Sequence, residues 1–244
     1  MKPFRPLHAA LSSAAVALIA SGSAHGALLL RDGMGFAVFD AAQATFVYDS
    51  TSNLTWLRNW NAGLGSTQDL NYSTTTAYMT LNGANAWVAS LNFGPQIGGG
   101  WRLPTVLQFD PNCSLQIASE PAGATYDSPA SGYGCTGGEF GRLWYESLGN
   151  TAGTLSQRGP FEGMDNSFWT SAHSPWGFAS PYYVNARTGY VLTTSDSVPG
   201  GAVAVRIGDV LQEGTTVPEP GSLALTAAAV FALGLARRQS KRGA

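Results

Sequence analysis

Two apolar runs bracket this chain, one over about 9–20 and one over 222–236, and no comparable run lies between them. A folded body has to come from the intervening stretch of about 190 residues, which is room for one domain. The first run follows Lys2 and Arg5 and leads into Ala24-His25-Gly26. A basic start, a short apolar core and small residues at the −3 and −1 positions are the parts of a secretory signal. Residues 1–26 are therefore expected to be removed between Gly26 and Ala27, with cleavage after Ala24 as the alternative. An uncleaved anchor is the competing reading, and the run is short for one.

The second run is apolar and uncharged. As a helix, residues 222–236 would cover ~22 Å at a rise of 1.5 Å each, against a hydrocarbon core of ~30 Å. Arg237, Arg238, Lys241 and Arg242 follow it and suit the inner face of a membrane. A span this marginal points to transient rather than permanent insertion. Pro218-Glu219-Pro220, the apolar run and the arginine-rich end stand in the order of the PEP-CTERM sorting signal, which 217–238 resembles. That resemblance implies recognition by an exosortase, a membrane cysteine protease or transpeptidase. It also implies cleavage near the tripeptide and a destination in the envelope or outside a Gram-negative, exopolysaccharide-making cell. A plain tail-anchored protein is the alternative. The chain divides into a signal peptide at 1–26, a domain at 27–210, a linker at 211–217 and a sorting segment at 218–244.

Charge narrows the domain's partners. Over 28–216, seven arginines and no lysine face fourteen carboxylates, a net charge of −7. Nucleic-acid binding needs a cationic footprint and is not expected here. Docking on anionic lipid is not expected either. Arginine without lysine suits fixed ion pairs and stacking. Cys113 and Cys135 are the two cysteines, both in the exported part. An oxidising compartment favours a disulfide between them, closing a loop worth roughly 3 kcal/mol. Metal ligation is the alternative, but with His173 as the single histidine of the mature region the ligand set is poor.

Short aromatic and β-branched runs separated by turn residues read as a loop-rich β domain. Candidate strands fall at 36–39, 45–48, 168–171, 182–184, 190–193 and 202–207. Two stretches read as helix. Ala84, Trp87, Val88 and Leu91 share one face, with Asn82 as a candidate N-cap and Gly94-Pro95 beyond the end. Phe140, Leu143, Trp144 and Leu148 form a second stripe, closed by Gly149. Such stripes bury against a partner layer. The fold class is therefore α+β, with two helices packed on irregular antiparallel sheet. The long stretch between the helices lacks periodicity and would be tied down by the disulfide.

Three blocks carry a further resemblance: YDSTSNLTWLRNWNAG at 48–63, which includes Trp56; WRLPT at 101–105; and GEFGRLWYESLGN, FWTSA and AVAVRIGDV in the last third. Together they resemble the Lcl C-terminal domain family over about 45–210. The family implies a C-type-lectin-like fold, related in shape to formylglycine-generating enzymes, with N- and C-terminal strands paired and a long loop region. It often has an acid two positions after Trp-Leu, where this chain has Asn59. Read physically, Pro104 fixes an extended approach to a turn before Thr105. Trp101 and Leu103 anchor that turn, and Arg102 serves loop carbonyls or a carboxylate. Asp209 is a candidate partner for it.

Catalytic patterns are sparse. His173 lies in a loop-like stretch, and no G-x-S-x-G elbow, phosphate loop or dinucleotide fingerprint occurs. Glu162 and Asp165 are close in sequence, yet nothing opposes them across a cleft. Oxygen-rich loops such as NWNAGLGSTQDLN offer Ca²⁺ ligands without an ordered pattern, so no cofactor is expected. The expectation is a non-catalytic, lectin-like adhesion module whose partners are exosortase and an exopolysaccharide or envelope glycan. Trp176, Tyr182 and Tyr183 are candidates for a sugar-stacking surface, with core packing as the competing role. An envelope hydrolase using carboxylates is the alternative.

Overall fold

Alternate residues of the central strands feed two different cores, and that arrangement organises everything else. The computed structural model describes residues 27–123, 127–176 and 180–211. The signal region, the membrane segment 222–236 and the sorting residues Pro218, Glu219, Pro220, Arg237 and Arg238 lie outside them. Strands β1 (Leu28–Arg31), β2 (Phe46–Asp49), β3 (Leu54–Leu57) and β9 (Val205–Ile207) form an antiparallel sheet in that order. Val47, Trp56 and Val205 stand opposite one another and face one core, with Trp60, Phe140, Trp144 and Phe168. Phe46 and Leu57, one residue out of step, face the other, with Trp87, Trp101, Leu103 and Trp169. Period-two alternation thus places apolar side chains on both faces, and β3 is buried along its whole length.

A second sheet repeats the device. Strands β6 (Ser167–His173), β7 (Pro181–Asn185) and β8 (Tyr190–Thr193) run antiparallel in that order. Phe168 and Tyr182 enter the first core, Trp169 and Tyr183 the second. Backbone hydrogen bonds of Gly201 with Ser167 and Trp169 join this sheet to the segment leading into β9, and Gly200 pairs with Met79. One helix seals each core. α1 (Leu81–Ser90) buries Leu81, Ala84, Trp87 and Val88 in the second. α2 (Glu139–Gly141) continues as a wider π turn over Arg142–Ser147 and buries Phe140, Leu143, Trp144 and Leu148 in the first. The described residues are thus mixed α and β, mostly strand, with three sheets and two short helices.

Local chemistry explains most boundaries and corrects some expectations. The cap of α1 is Thr80, whose hydroxyl accepts the Gly83 N–H at 3.1 Å, and Asn82 lies inside the helix. Segment 36–39 makes one ladder contact, at Ala37, and Phe39 is 86% exposed, so it is not a strand. The expected strand at 202–207 shortens to its last three residues, and Gly200 and Gly201 just before it bridge to Met79 and Phe168. β1 and β3 were not expected: each is a short apolar run that shows no alternation. Asp49 shapes the β2–β3 turn from inside, accepting the Thr51 N–H at 3.0 Å and the Ser52 and Ser147 hydroxyls at 2.8 Å. The stretch between the helices holds a third, two-stranded ladder of β4 (Leu115–Gln116) and β5 (Ala130–Ser131). Cys113 and Cys135 flank it and are disulfide-bonded. Among the described residues no helix is long and apolar enough to cross a membrane.

Candidate functional site

The WRLPT block is a joint. Trp101, Leu103 and Pro104 are buried, and Trp101 stacks on Phe46 at 5.3 Å between ring centres. Arg102 exchanges both backbone hydrogen bonds with Val205 at 2.9 Å, fastening the block to β9. Its guanidinium grips Glu139, with NH1 donating to Oε2 at 2.7 Å and NH2 to Oε1 at 2.6 Å. Thr105 completes the lock. Its N–H donates to Glu139 Oε2 at 2.9 Å and its carbonyl accepts the Glu139 N–H at 3.0 Å. Burial pushes the Glu139 carboxyl upward, but the Arg102 fork and the Thr105 N–H outweigh it and hold it below its ordinary value. The hydrogen bonds that Arg102 donates to Glu139 raise the Arg102 guanidinium above its ordinary value. The carboxylate that Arg102 engages is Glu139, not the expected Asp209. Asp209 is engaged instead by Arg31, whose Nε and NH2 donate to it at 3.0 and 2.7 Å.

The aromatic residues chosen for a sugar-stacking surface separate. Tyr182 is fully buried, its hydroxyl directed at the carbonyls of Gln108 and Ala130. Tyr183 is 8% exposed and donates to the Pro199 carbonyl at 2.9 Å, and burial pushes its phenol up to about 12. Both are core residues and offer no ring face to a ligand. They were misjudged because a sheet covered on both sides buries consecutive residues. Trp176 is half-buried and stays in reach of solvent, its N–H donating to the Ser174 hydroxyl. Trp56 is fully buried, stacked on Trp60 at 6.1 Å.

A recess of about 360 Å³ opens where β3 ends, lined by Leu57, Arg58, Asn59, Leu91, Phe93 and Glu162 among others. Phe93 is half-buried and held edge-on by Phe46 and Trp101, at 4.8 and 5.3 Å between ring centres. Arg58 donates from NH2 to Glu162 Oε1 at 2.7 Å and from Nε to the Pro160 carbonyl at 2.9 Å. Asn59 accepts the Asn61 N–H through its side chain at 2.9 Å. It therefore fixes the turn locally. The recess combines an aromatic wall with fixed donors and acceptors, the mixture that small polar ligands require. Phe93 escaped notice in the sequence because it follows the last residue of the α1 stripe in an unpatterned LNFGP segment.

Neither expected acid is placed for hydrolysis. Glu162 is held by Arg58 and Asp165 by Arg158, and both carboxylates are more than half exposed. His173 ends β6 on the surface, its carbonyl accepting from Gln108. Asp110 clusters with Cys113 and Cys135. Both sulfurs there are in the disulfide, and Asp110 accepts the N–H groups of Asn112 and Gly137 at 3.0 and 2.6 Å, which leaves a poor ligand set for a metal.

Comparison of the chain with protein-family models, with curated proteins and with solved structures finds no match.

Proposed function

We propose that this is an exported, exosortase-processed protein of the cell envelope or extracellular matrix, and that its domain is a non-catalytic, lectin-like binding module. The observation that carries the reading is the Arg31–Asp209 pair. It ties the first strand to the last described turn, across a sheet in which β1 and β9 form opposite edges. A domain delivered by an N-terminal signal and held by a C-terminal span meets the membrane at both ends during processing. A pair that clamps the two end segments of the domain to each other keeps it closed while both flanking segments are drawn to the membrane.

Several features support the C-type-lectin-like assignment. The first and last strands share one sheet, although they stand at its opposite edges and are not paired as that family implies. Two helices cover it, and a long loop region is closed by a disulfide. The recess beside Phe93 gives such a module a place to hold a glycan, with the ring as a stacking face and Arg58, Asn59 and Glu162 as polar partners. The carboxylate-hydrolase alternative has no comparable support, because its acids are solvated and paired to arginines.

Two measurements test the reading. Mass spectrometry of protein recovered from cells is expected to give a mature species beginning at Ala27 and ending near Pro218. A stable chain ending at Ala244 would count against exosortase processing. A glycan array probed with the protein is expected to show binding that Phe93→Ala removes. Absence of binding to every polysaccharide, the host's own included, would sink the lectin-like reading.

A further inference from the structure

A second recess, of about 290 Å³, lies beside the hairpin of β7 and β8. Arg158, Arg187, Asp165, Thr154 and Thr188 contribute to its walls. Arg158 closes on Asp165 with two N–H donors, NH1 reaching Oδ2 at 2.7 Å. Arg187 stands exposed at the hairpin tip. It contributes to holding the Asp165 carboxyl below its ordinary value, after the dominant hydrogen bonds from Arg158. It forms none of the four ion pairs among the described residues. Two guanidiniums against one carboxylate leave the recess one positive charge in excess, in a domain whose net charge is −7 over 28–216.

The frame around these groups is fixed. The Gly153 N–H donates to the Thr188 carbonyl at 2.9 Å, setting the width between the 151–154 turn and the hairpin. The Arg187 N–H is tied to the Asn185 side chain at 3.0 Å. Gly189, at φ +74°, lies so close to Trp144 that an added Cβ would come within 2.6 Å of the indole. The tip carrying Arg187 is therefore packed on the first core. A guanidinium carried on a fixed turn and outside the ion pairs suits a carboxylate. Around it stand one fixed carboxylate and two threonine hydroxyls, partners for sugar hydroxyls.

We propose that this recess is a subsite for one carboxylate-bearing sugar unit, a uronic acid within an acidic polysaccharide. Arg187 takes the carboxylate, while Asp165, Thr154 and Thr188 take ring hydroxyls. The size, at the low end of ligand pockets of ~300–1,000 Å³, fits a single ring rather than a longer segment. The overall negative charge of the domain repels a polyanion at a distance, so recognition is by local fit and not along a charged track. The inference rests on the glycan-binding reading above and specifies its ligand.

Calorimetric titration of the full-length chain in nonionic detergent tests it with three probes: a galacturonate oligomer, a neutral glucan oligomer of the same length, and sodium sulfate. The uronate is expected to bind, and Arg187→Gln is expected to weaken it by about tenfold or more, the loss of a charge-assisted hydrogen bond. Because Arg187 is exposed and forms none of the ion pairs, the thermal midpoint of that variant is expected to match the parent. Uronate binding that the variant leaves unchanged overturns the subsite. So does sulfate that competes at equal concentration, which marks a simple anion site. Binding of neutral glycan alone overturns the subsite and leaves the glycan-binding reading standing, whereas binding of no glycan removes both.

Discussion

Arg31 and Asp209, 178 residues apart, meet in a two-pronged ion pair that joins the first strand to the turn after the last. The Arg31 side chain is 6% exposed and that of Asp209 is 23% exposed. Removing one partner strands the other in a poorly hydrated place. Asp209→Asn is expected to lower stability by about 2–4 kcal/mol, toward the lower part of the range for breaking buried pairs because Asp209 keeps some water. Chemical denaturation measures this, with the slope expected to stay constant. A change under about 0.5 kcal/mol would place the pair among ordinary surface bridges.

The Arg102–Glu139 lock makes an acid-sensitivity prediction. Glu139 has a lowered pKa in the folded state, so its contribution is fully present above the unfolded value near 4.5 and is lost as pH falls through the lower folded value. Arg102, whose pKa is raised, stays charged throughout and adds no dependence in that window. Glu139→Gln is expected to destabilise the domain by about 2 kcal/mol at neutral pH, discounted because Arg102 is about one-third exposed. The same variant should flatten the stability profile below pH 4.5. Urea midpoints measured from pH 3 to pH 7 would check both effects. A variant as acid-sensitive as the parent would move the acid response to other carboxylates.

Reduction should loosen the middle of the chain. The Cys113–Cys135 bond closes a loop with a sequence separation of 22, for which chain entropy gives roughly 3 kcal/mol. Cys113→Ser with Cys135→Ser is expected to lose about that amount. Amide exchange should rise first across the 115–116 and 130–131 ladder, because its two hydrogen-bonded rungs cannot hold alone. Uniform exchange across the domain would show that the loop and the two cores unfold as one unit.

Gly141 is required by close approach rather than by dihedral freedom. A Cβ there would lie 1.6 Å from the Cys135 carbonyl oxygen and 2.7 Å from its carbon. Both are backbone atoms of the disulfide segment and cannot swing away as a side chain could. Gly141→Ala is expected to cost more than about 3 kcal/mol or to abolish folding, although alanine favours helices elsewhere. The neighbouring exposed position, Arg142→Ala, serves as the control and should stay within about 0.5 kcal/mol of the parent.

The helices were legible because their stripes have a period that sequence carries locally. Ala84, Trp87 and Val88 on α1, and Phe140, Leu143, Trp144 and Leu148 beyond it, all lie where the pattern put them. The disulfide was legible because the chain has two cysteines and too few other ligands to favour a metal. The strands were harder. LTWL at β3 is buried throughout, so the alternation that marks a one-sided sheet is missing. Ion pairing was legible from the arginines, but the partners were not. Arg102 finds Glu139 across 37 residues and Arg31 finds Asp209 across 178, and no local pattern encodes either choice. The clefts fared likewise. Arg58 meets Glu162, and Arg158 with Asp165 stands near Arg187, through the way the turns stack.

Tyr183 should report the integrity of the second core at high pH. Its ring lies edge-on to Trp169 at 4.8 Å, and its hydroxyl donates to the Pro199 carbonyl. Burial destabilises the phenolate and pushes the group up to about 12. Since the folded value lies above the unfolded value near 10, the stability tied to the protonated phenol is complete below pH 10. It drains away as pH rises from about 10 toward 12. Tyr183→Phe keeps the ring and removes the proton. At pH 7 it is expected to lose about 1 kcal/mol for the missing hydrogen bond to Pro199. Between pH 10 and pH 12 it should lose less stability than the parent, so the two curves converge. Denaturant midpoints across that range read the difference directly. Curves that stay parallel would show that the Tyr183 hydroxyl reaches water, and would reopen this residue as part of a ligand surface.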